Sequence, residues 1–194
     1  ALGRITLDEE AEKAPDYAQG IDKIIVKVLC GANITLALSV DGQLYISSIF
    51  KDQEGILGIL PKKKFEQIFS KYIPAFKFKI SDIAVGENHV IFLTTEGFLY
   101  TFGSGDYYQL GRKVSKRYKK NRLNPKKLST GDFHSIAVDK EGNGYTWKYS
   151  DTFALGNVNR NDEYEPFKLK IPSIKFGDGG SQYTILLTYP KELE

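Results

Sequence analysis

The sequence has few of the residues and patterns on which disulfide-bonded or membrane-spanning proteins depend. Its 194 residues include one cysteine, Cys30, so no internal disulfide can form and we expect a reducing compartment. No apolar run approaches the ~18 residues needed to span a bilayer, and no charged-then-apolar signal pattern opens the sequence. We therefore predict no membrane partner.

The chain also lacks the usual signatures of enzyme active sites and cofactor sites. It has two histidines, His89 and His134, and no cysteine or carboxylate spacing that would complete a metal site around them. It has no Gly-x-x-x-x-Gly-Lys-Ser/Thr phosphate loop, no Gly-x-Ser-x-Gly elbow and no convincing Cys/His pair. The sequence therefore predicts no catalytic residue, no metal, no cofactor and no small-molecule substrate.

Charge of either sign is nearly balanced over the whole chain. Lys and Arg number 27 against 24 Asp and Glu, and a net charge of +3 is too small to argue for nucleic-acid binding. One run, residues 112–127 (RKVSKRYKKNRLNPKK), nevertheless contains nine Lys or Arg and no acid. Two interpretations are open: a solvated surface, or a basic loop that binds an acidic surface or phosphates.

What the sequence does contain is a repeated unit, most complete at residues 84–112. Two apolar runs, 90–93 and 98–102, flank a turn at 94–97, which is the pattern of a β-hairpin. A repeated glycine indicates a repeated backbone geometry. The copies open at glycines spaced 55, 45 and 49 residues apart: Gly31, Gly86, Gly131 and Gly180.

Repetition at this period predicts the fold class. Blades of a β-propeller contain four short antiparallel strands and have about this length, whereas a β-sandwich gives no reason for Gly-x-x-His and Leu-Gly to recur at matching offsets. We predict an all-β propeller with approximate repeats at 21–58, 76–112, 129–156 and 172–188. Eight residues should lie buried between blades, at equivalent places of successive sheets: Leu36, Leu38, Ile91, Leu93, Ile136, Val138, Ile185 and Leu187.

Two further expectations concern the continuity of the chain. Residues 125–128 run into Gly131 with no recognisable strand, so we expect residues, up to one or more blades, to be missing between Leu128 and Ser129. The sequence opens on Leu2-Gly3-Arg4, which reads as the closing motif of another blade, and seven blades would need roughly 350 residues. We therefore expect the chain to be part of a longer protein.

The histidines hold the same place in two copies of the unit. His89 and His134 are each the fourth residue of a Gly-x-x-His motif, and Ile34 and Tyr183 stand at that place in the other two copies. Recurrence at one position indicates that each histidine ties a loop to its blade by hydrogen bonding. A two-histidine metal site is the alternative.

The Gly-x-x-His-Ser/Thr motif, followed by Asp/Glu-Gly and Gln-Leu-Gly, resembles the regulator of chromosome condensation family. That family consists of seven-bladed propellers, and its founding member is the guanine-nucleotide exchange factor for the small GTPase Ran. The resemblance spans nearly the whole chain. It implies a nuclear, chromatin-associated protein that acts in nucleocytoplasmic transport and the cell cycle.

Residues 50–58 (FKDQEGILG) resemble the wedge insertion of the Ran exchange factors themselves. In that family the wedge hairpin inserts beside the phosphate-binding loop of the GTPase and releases GDP or GTP without covalent chemistry. From the residues alone, a charged insertion with a glycine should project from the propeller, and a neutral surface insertion is the alternative. The resemblance implies these GTPase-binding residues: Phe50, Lys51, Asp52, Gln53, Glu54, Gly55 and Ile56.

The resemblance also implies other contacts. Asn88 and Arg112 are the implied residues of the GTPase-binding face. Arg112 matches a family arginine at the Ran interface, whereas Ala32 and Asn88 stand where the family presents carboxylates to the GTPase. In the family, a loop at the place of the basic run contacts the acidic patch of the nucleosome, and DNA is a second candidate there. A non-catalytic scaffold that binds another protein through the same face is the alternative function. The implied chromatin-binding residues are Lys116, Arg117, Lys119, Lys120 and Arg122.

Overall fold

A computed structural model of the chain describes residues 13, 16–48, 66–71, 78–112, 123–148, 154–157 and 163–190. Within these residues the strands form four antiparallel sheets of four, three, four and two strands, in chain order. The first sheet contains β1 (Ile25–Cys30), β2 (Ile34–Ser39), β3 (Leu44–Ser48) and β4 (Glu66–Lys71). The second contains β5 (Ile80–Val85), β6 (His89–Thr94) and β7 (Leu99–Gly103). The third contains β8 (Pro125–Thr130), β9 (Ser135–Asp139), β10 (Gly144–Lys148) and β11 (Glu163–Lys168), and the fourth contains β12 (Ile174–Gly179) and β13 (Thr184–Thr188).

The turn between the second and third strands of a sheet has the same geometry in three copies. Gly42, Gly97 and Gly142 have φ angles of 84°, 84° and 81°. Glycine adopts this left-handed backbone without steric cost, which is why each hairpin carries an Asp-Gly or Glu-Gly pair at this point.

The register of the strands repeats as well. Leu36, Ile91, Ile136 and Ile185 each pair with the residue two positions before an opening glycine. A shift in register follows the residue six positions before each opening glycine: Ile25, Ile80, Pro125 and Ile174. A bulge at one fixed place shows that the four sheets are copies of one unit.

The hydrophobic core lies between successive sheets. Leu36 and Leu38 of the first sheet share a buried cluster with Ile83 and Phe92 of the second. The opposite face of the second sheet packs on the third, where Ile91 and Leu93 lie in a cluster with Leu128, Ala137 and Trp147. Because the second sheet uses its two faces for two different neighbours, the sheets stack in sequence as propeller blades. The predicted fold class is confirmed.

Six of the eight predicted core residues are buried, and the prediction for the other two is wrong. Ile185 and Leu187 lie in β13, at the expected register, but their side chains are 65% and 54% exposed. The equivalent Ile136 is 1% exposed because the fourth sheet packs on it. Within the described part of the chain, no sheet covers the corresponding face of β13.

The prediction that no strand precedes Gly131 is also wrong. Strand β8 crosses this position, where Leu128 pairs with Ala137 and Ser129 pairs with Ile136 without a shift in register. The strand was not apparent in the sequence because Pro125 and two lysines stand in its first half. The reason for expecting missing residues between Leu128 and Ser129 therefore no longer holds. The predicted repeat limits also leave out parts of the sheets: β4 and β11 lie outside the predicted ranges, and β8 begins before the third range.

Candidate functional site

The loops at the opening glycines meet at one edge of the sheets. The Ala32 amide donates to the Glu87 carbonyl (3.0 Å), the Glu87 amide to the Asp132 carbonyl (3.0 Å), and the Asp132 amide to the Gly180 carbonyl (3.3 Å). A Cβ atom on Gly86 would lie 2.7 Å from the Gly131 carbonyl oxygen, so this close approach requires glycine. Together the loops line a groove of about 370 Å³.

Two carboxylates lie at this groove, and sequence reasoning did not single them out. Glu87 and Asp132 line it together with Ala32 and Cys30. Each acid directly follows an opening glycine, which is the signal that could have identified it. The groove therefore offers negative charge to a partner even though Ala32 and Asn88 carry none.

Asn88, a predicted contact residue, lies in the loop between β5 and β6 at the same edge. Its side chain is half-buried, and its backbone carbonyl accepts a hydrogen bond from the Ser104 amide (2.7 Å). Ser104 begins the loop that follows β7, and its hydroxyl donates to Asp106 (2.8 Å) and accepts from the Gln109 side chain (3.2 Å). Asn88 thus joins two loops of one sheet at the candidate face.

Arg112, a predicted contact of the GTPase, is held against its own sheet. Its side chain is 7% exposed, and the guanidinium donates to the hydroxyl and the carbonyl of Thr101 in β7, each at 3.2 Å. The Thr101 hydroxyl in turn donates to the Leu110 carbonyl (2.8 Å). The observed geometry makes Arg112 a residue that fastens its own loop to the sheet.

His89 forms a hydrogen-bonded chain between the second and third sheets. Its Nε2 lies 2.9 Å from Ser135 Oγ at the start of β9, and that hydroxyl donates to the Gln109 carbonyl (2.9 Å). Because the hydroxyl proton is directed to Gln109, Nε2 of His89 must carry the proton that it shares with Ser135. The Gln109 carbonyl also accepts from the Trp147 indole at 2.8 Å.

His134 repeats this chain one sheet further on. Its Nε2 lies 3.0 Å from Thr184 Oγ1 in β13, and that hydroxyl donates to the Ala154 carbonyl (2.6 Å). The predicted hydrogen bonding is present. Each histidine, however, bonds directly to a hydroxyl of the next sheet, and that hydroxyl bonds to the closing loop of the sheet to which the histidine belongs. The histidines therefore connect neighbouring blades.

Burial keeps both histidines neutral. Desolvation lowers the pKa of His89 to about 3, and repulsion from His134, once His134 is protonated in acid, is a smaller cause. Desolvation and the charge of Lys148 lower the pKa of His134 to about 4. The Nδ1 atoms of both rings are buried and have no hydrogen-bond partner among the described residues. Nor does that part of the chain contain a group of three or more His, Cys, Asp or Glu side chains able to hold a metal.

The predicted wedge residues Phe50, Lys51, Asp52, Gln53, Glu54, Gly55 and Ile56 lie outside the described residues, as do Lys116, Arg117, Lys119, Lys120 and Arg122 of the basic run. The strand that leads toward residue 50 is described. Ser48, the last residue of β3, pairs with Ile34, which follows the Gly31 loop. The chain therefore leaves β3 at the same edge as the glycine loops.

Comparison with protein families decides what the repeats are. Two models, both described as regulator of chromosome condensation (RCC1) repeat, match residues 80–109 and 96–138. The chain contains regulator of chromosome condensation repeats. The resemblance drawn from the sequence is confirmed.

Relatives with these repeats include two yeast proteins. Protein pim1 of Schizosaccharomyces pombe is 29% identical over 218 aligned residues, which cover 96% of this chain and 40% of pim1. The guanine nucleotide exchange factor SRM1 of Saccharomyces cerevisiae is 32% identical over 145 residues, covering 70% of this chain and 30% of SRM1. The chain thus spans less than half the length of these curated relatives.

Solved structures of proteins with these repeats have the same fold. Prp20p of Saccharomyces cerevisiae, described with its binding to Gsp1p and histones, superposes with a TM-score of 0.74 at 27% identity. The match covers 84% of this chain and 41% of Prp20p.

Among the described residues, no helix is both long and apolar enough to cross a membrane.

Proposed function

We propose that the chain is part of a guanine-nucleotide exchange factor for the small GTPase Ran, and that it acts without covalent chemistry. The observation that carries the proposal is the 32% identity to the exchange factor SRM1 over 70% of this chain. The fold match to Prp20p, which is described with its binding to Gsp1p, supports it.

The GTPase docks on the edge of the sheets that carries the opening-glycine loops. Three features support this choice: the groove between the loops, the carboxylates of Glu87 and Asp132, and the exit of the chain from β3 toward the wedge residues at Ser48. Carboxylates at a docking face attract basic groups of a partner and orient its approach. Asn88 contributes an amide at the same edge.

Exchange follows from differential affinity. A factor that binds the nucleotide-free GTPase more tightly than the loaded one lowers the affinity of the GTPase for nucleotide by the same factor. The wedge at residues 50–56 supplies this difference in affinity if it fits beside the nucleotide site only after the nucleotide has left. The first sheet, from which the wedge departs, is packed on the second through a buried apolar cluster, which gives such a wedge a firm base.

The proposal extends to chromatin. The basic run at 112–127 carries nine positive charges and no acid, which suits the acidic patch of a nucleosome or the phosphates of DNA. Prp20p, with the same fold, is described with its binding to histones. A nuclear, chromatin-associated location follows from this contact.

Release of labelled GDP from purified Ran, measured with the complete protein, tests the proposed function. Acceleration well above the intrinsic release rate is expected, and it should saturate as the concentration of the factor rises. No acceleration at any concentration would favour the second candidate, a scaffold that binds a protein through the same face. That candidate is supported by Ala32 and Asn88, which stand where the family presents carboxylates.

A further inference from the structure

Two pairs of aromatic rings lie at the edge of the second and third sheets. Tyr107 contacts Phe133 edge-on, with ring centroids 5.3 Å apart, and Tyr108 contacts Tyr164 edge-on at 4.4 Å. Tyr107 and Tyr108 are consecutive in the loop after β7, so the two pairs are joined. We call these four residues the aromatic surface. Tyr107 is 48% exposed and Tyr164 is 51% exposed.

The backbone of this loop is held in an unfavourable conformation. Tyr108 has a φ angle of 58°, in the left-handed region that residues with a Cβ atom seldom adopt. Strain of this kind persists where the surrounding structure holds it, and it concentrates at functional positions. Here it orients two consecutive tyrosines toward two different elements of the third sheet.

Acidic residues border the aromatic surface. Asp106 precedes Tyr107, Asp132 precedes Phe133, and both carboxylates are exposed. Glu163 precedes Tyr164 in β11 but does not count among these acids, because it is half-buried and accepts a hydrogen bond from the Asn157 side chain (3.1 Å). One cation of the chain itself already lies near a ring, since Nζ of the buried Lys148 is 6.0 Å from the centroid of Phe133. Exposed rings bordered by carboxylates are electrostatically complementary to a cation.

We propose that the aromatic surface docks an arginine-bearing segment of a partner protein. A planar guanidinium stacks on tyrosine and phenylalanine rings and pairs with neighbouring carboxylates, whereas a lysine ammonium is more strongly hydrated and cannot stack. The surface therefore selects arginine over lysine. The surface shares Asp132 with the groove proposed for the GTPase, yet the inference goes beyond the proposed function, because docking of an arginine-bearing segment requires neither the wedge nor a GTPase.

The test uses two labelled heptapeptides, Gly-Arg-Gly-Arg-Gly-Arg-Gly and its lysine counterpart, titrated with the complete protein by fluorescence anisotropy. The arginine peptide should bind more tightly. The double variant Tyr107→Ala, Tyr164→Ala should weaken its binding about 5- to 30-fold, the loss of two exposed cation–π contacts. The double variant Tyr107→Phe, Tyr164→Phe keeps both rings and should retain most of the affinity.

Tyr189→Ala is the matched control, since Tyr189 is 51% exposed and lies after β13 at the opposite edge. It should leave arginine-peptide binding unchanged. Equal affinity for the two peptides, or unchanged binding in the alanine double variant, would overturn the proposal. GDP release from Ran, measured on the same variants, keeps this result separate from a failure of the proposed function.

Discussion

His89 and Ser135 lie in different sheets, yet their side chains share a hydrogen bond of 2.9 Å in the buried interface between those sheets. The Ser135 hydroxyl in turn donates a hydrogen bond to the Gln109 carbonyl, in the closing loop of the sheet that contains His89. One side-chain pair therefore fixes three things together: the opening loop of one blade, the second strand of the next blade, and the Gln-Leu-Gly turn. This explains why a Gly-x-x-His motif, a Leu-Gly turn in the same copy and a Ser or Thr in the next copy occur together.

The first interface uses apolar residues at the same two places. Ile34 stands where the second and third copies have histidine, Val90 stands where the third and fourth copies have Ser135 and Thr184, and both lie in one buried cluster. The residues at these two places change together, so that a histidine meets a hydroxyl and an isoleucine meets a valine. A histidine facing Val90 would instead lose its acceptor, which is costly in a buried interface.

Replacing Ser135 by alanine should therefore destabilise the protein. The change leaves the buried Nε2–H of His89 without an acceptor, which costs about 1–3 kcal/mol of the free energy of unfolding. The Gln109 carbonyl loses one donor but keeps the Trp147 indole. Urea unfolding followed by tryptophan fluorescence measures the effect. Thr188→Ala, at an exposed position of β13, is the control and should change stability little; a Ser135→Ala variant as stable as that control would contradict the role of this contact.

Stability should fall in mild acid because of the same histidines. Their pKa values in the folded protein, about 3 for His89 and about 4 for His134, are below the value of 6.5 for an unperturbed histidine. As the pH falls, the histidines of the unfolded chain become protonated before those of the folded protein. The contribution of the neutral histidines to the free energy of unfolding is therefore complete above pH 6.5 and is lost as the pH falls toward 4. At pH 5 each histidine should lower the free energy of unfolding by about 2 kcal/mol relative to neutral pH.

The measurement is the free energy of unfolding of the wild type and of His134→Gln, from urea titrations at pH 7 and pH 5. Carboxylates contribute equally to both proteins, so the difference in pH dependence isolates His134. The variant should lose about 2 kcal/mol less than the wild type between the two pH values. An identical loss in both proteins would show that His134 is not held neutral by burial.

Local patterns in the sequence were sufficient to predict the hairpins, the repeat and the fold class. Asp-Gly or Glu-Gly between two apolar runs predicts a β-turn from adjacent residues alone, and the turns at Gly42, Gly97 and Gly142 are present. Strand β8 was missed because its residues are polar or unsuited to a strand, and pairing of Leu128 with Ala137 determines it. That pairing depends on a second strand, and the periodicity of residues within β8 carries no information about it.

The candidate site was predictable only in part, for a similar reason. The position of Asn88 in an opening loop follows from the motif, and the structure places it at the candidate face. The direction of the Arg112 guanidinium does not follow, because it depends on Thr101 eleven residues earlier in a packed strand. Likewise, nothing within one copy of the unit shows that its histidine bonds to the next copy.

The basic run should bind nucleosomes through its arginines. Reversing two charges, Arg117→Glu and Arg122→Glu, should weaken nucleosome binding, and salt should weaken the binding of the wild type steeply, because guanidinium–carboxylate and phosphate contacts are screened. GDP release from Ran should stay nearly unchanged. Lys168→Glu and Lys170→Glu make the same change in net charge at exposed positions at and just after the end of β11. Equal nucleosome affinity of the two double variants would identify the run as a solvated surface.

The wedge is the feature that separates an exchange factor from a scaffold. Replacing Asp52, Gln53 and Glu54 by a two-residue Asn-Gly turn should preserve the fold, since such turns close hairpins well. It should abolish acceleration of GDP release, because the acidic tip can no longer compete with the nucleotide phosphates for the phosphate-loop lysine of the GTPase. That competition is a Coulomb effect of about 1 kcal/mol in water and is several-fold larger in a partly desolvated interface.

The double variant Glu96→Gln, Glu141→Gln controls for the lost negative charge, since both residues lie exposed in hairpin turns at the opposite edge of the sheets. It should release GDP at the rate of the wild type. Ran binding, measured without nucleotide, should weaken only moderately in the shortened variant, because the groove with Glu87 and Asp132 is intact. Exchange at the full rate by the shortened variant would remove the wedge from the mechanism. Binding without exchange, in that variant alone, would show that docking and nucleotide release depend on separate parts of one face.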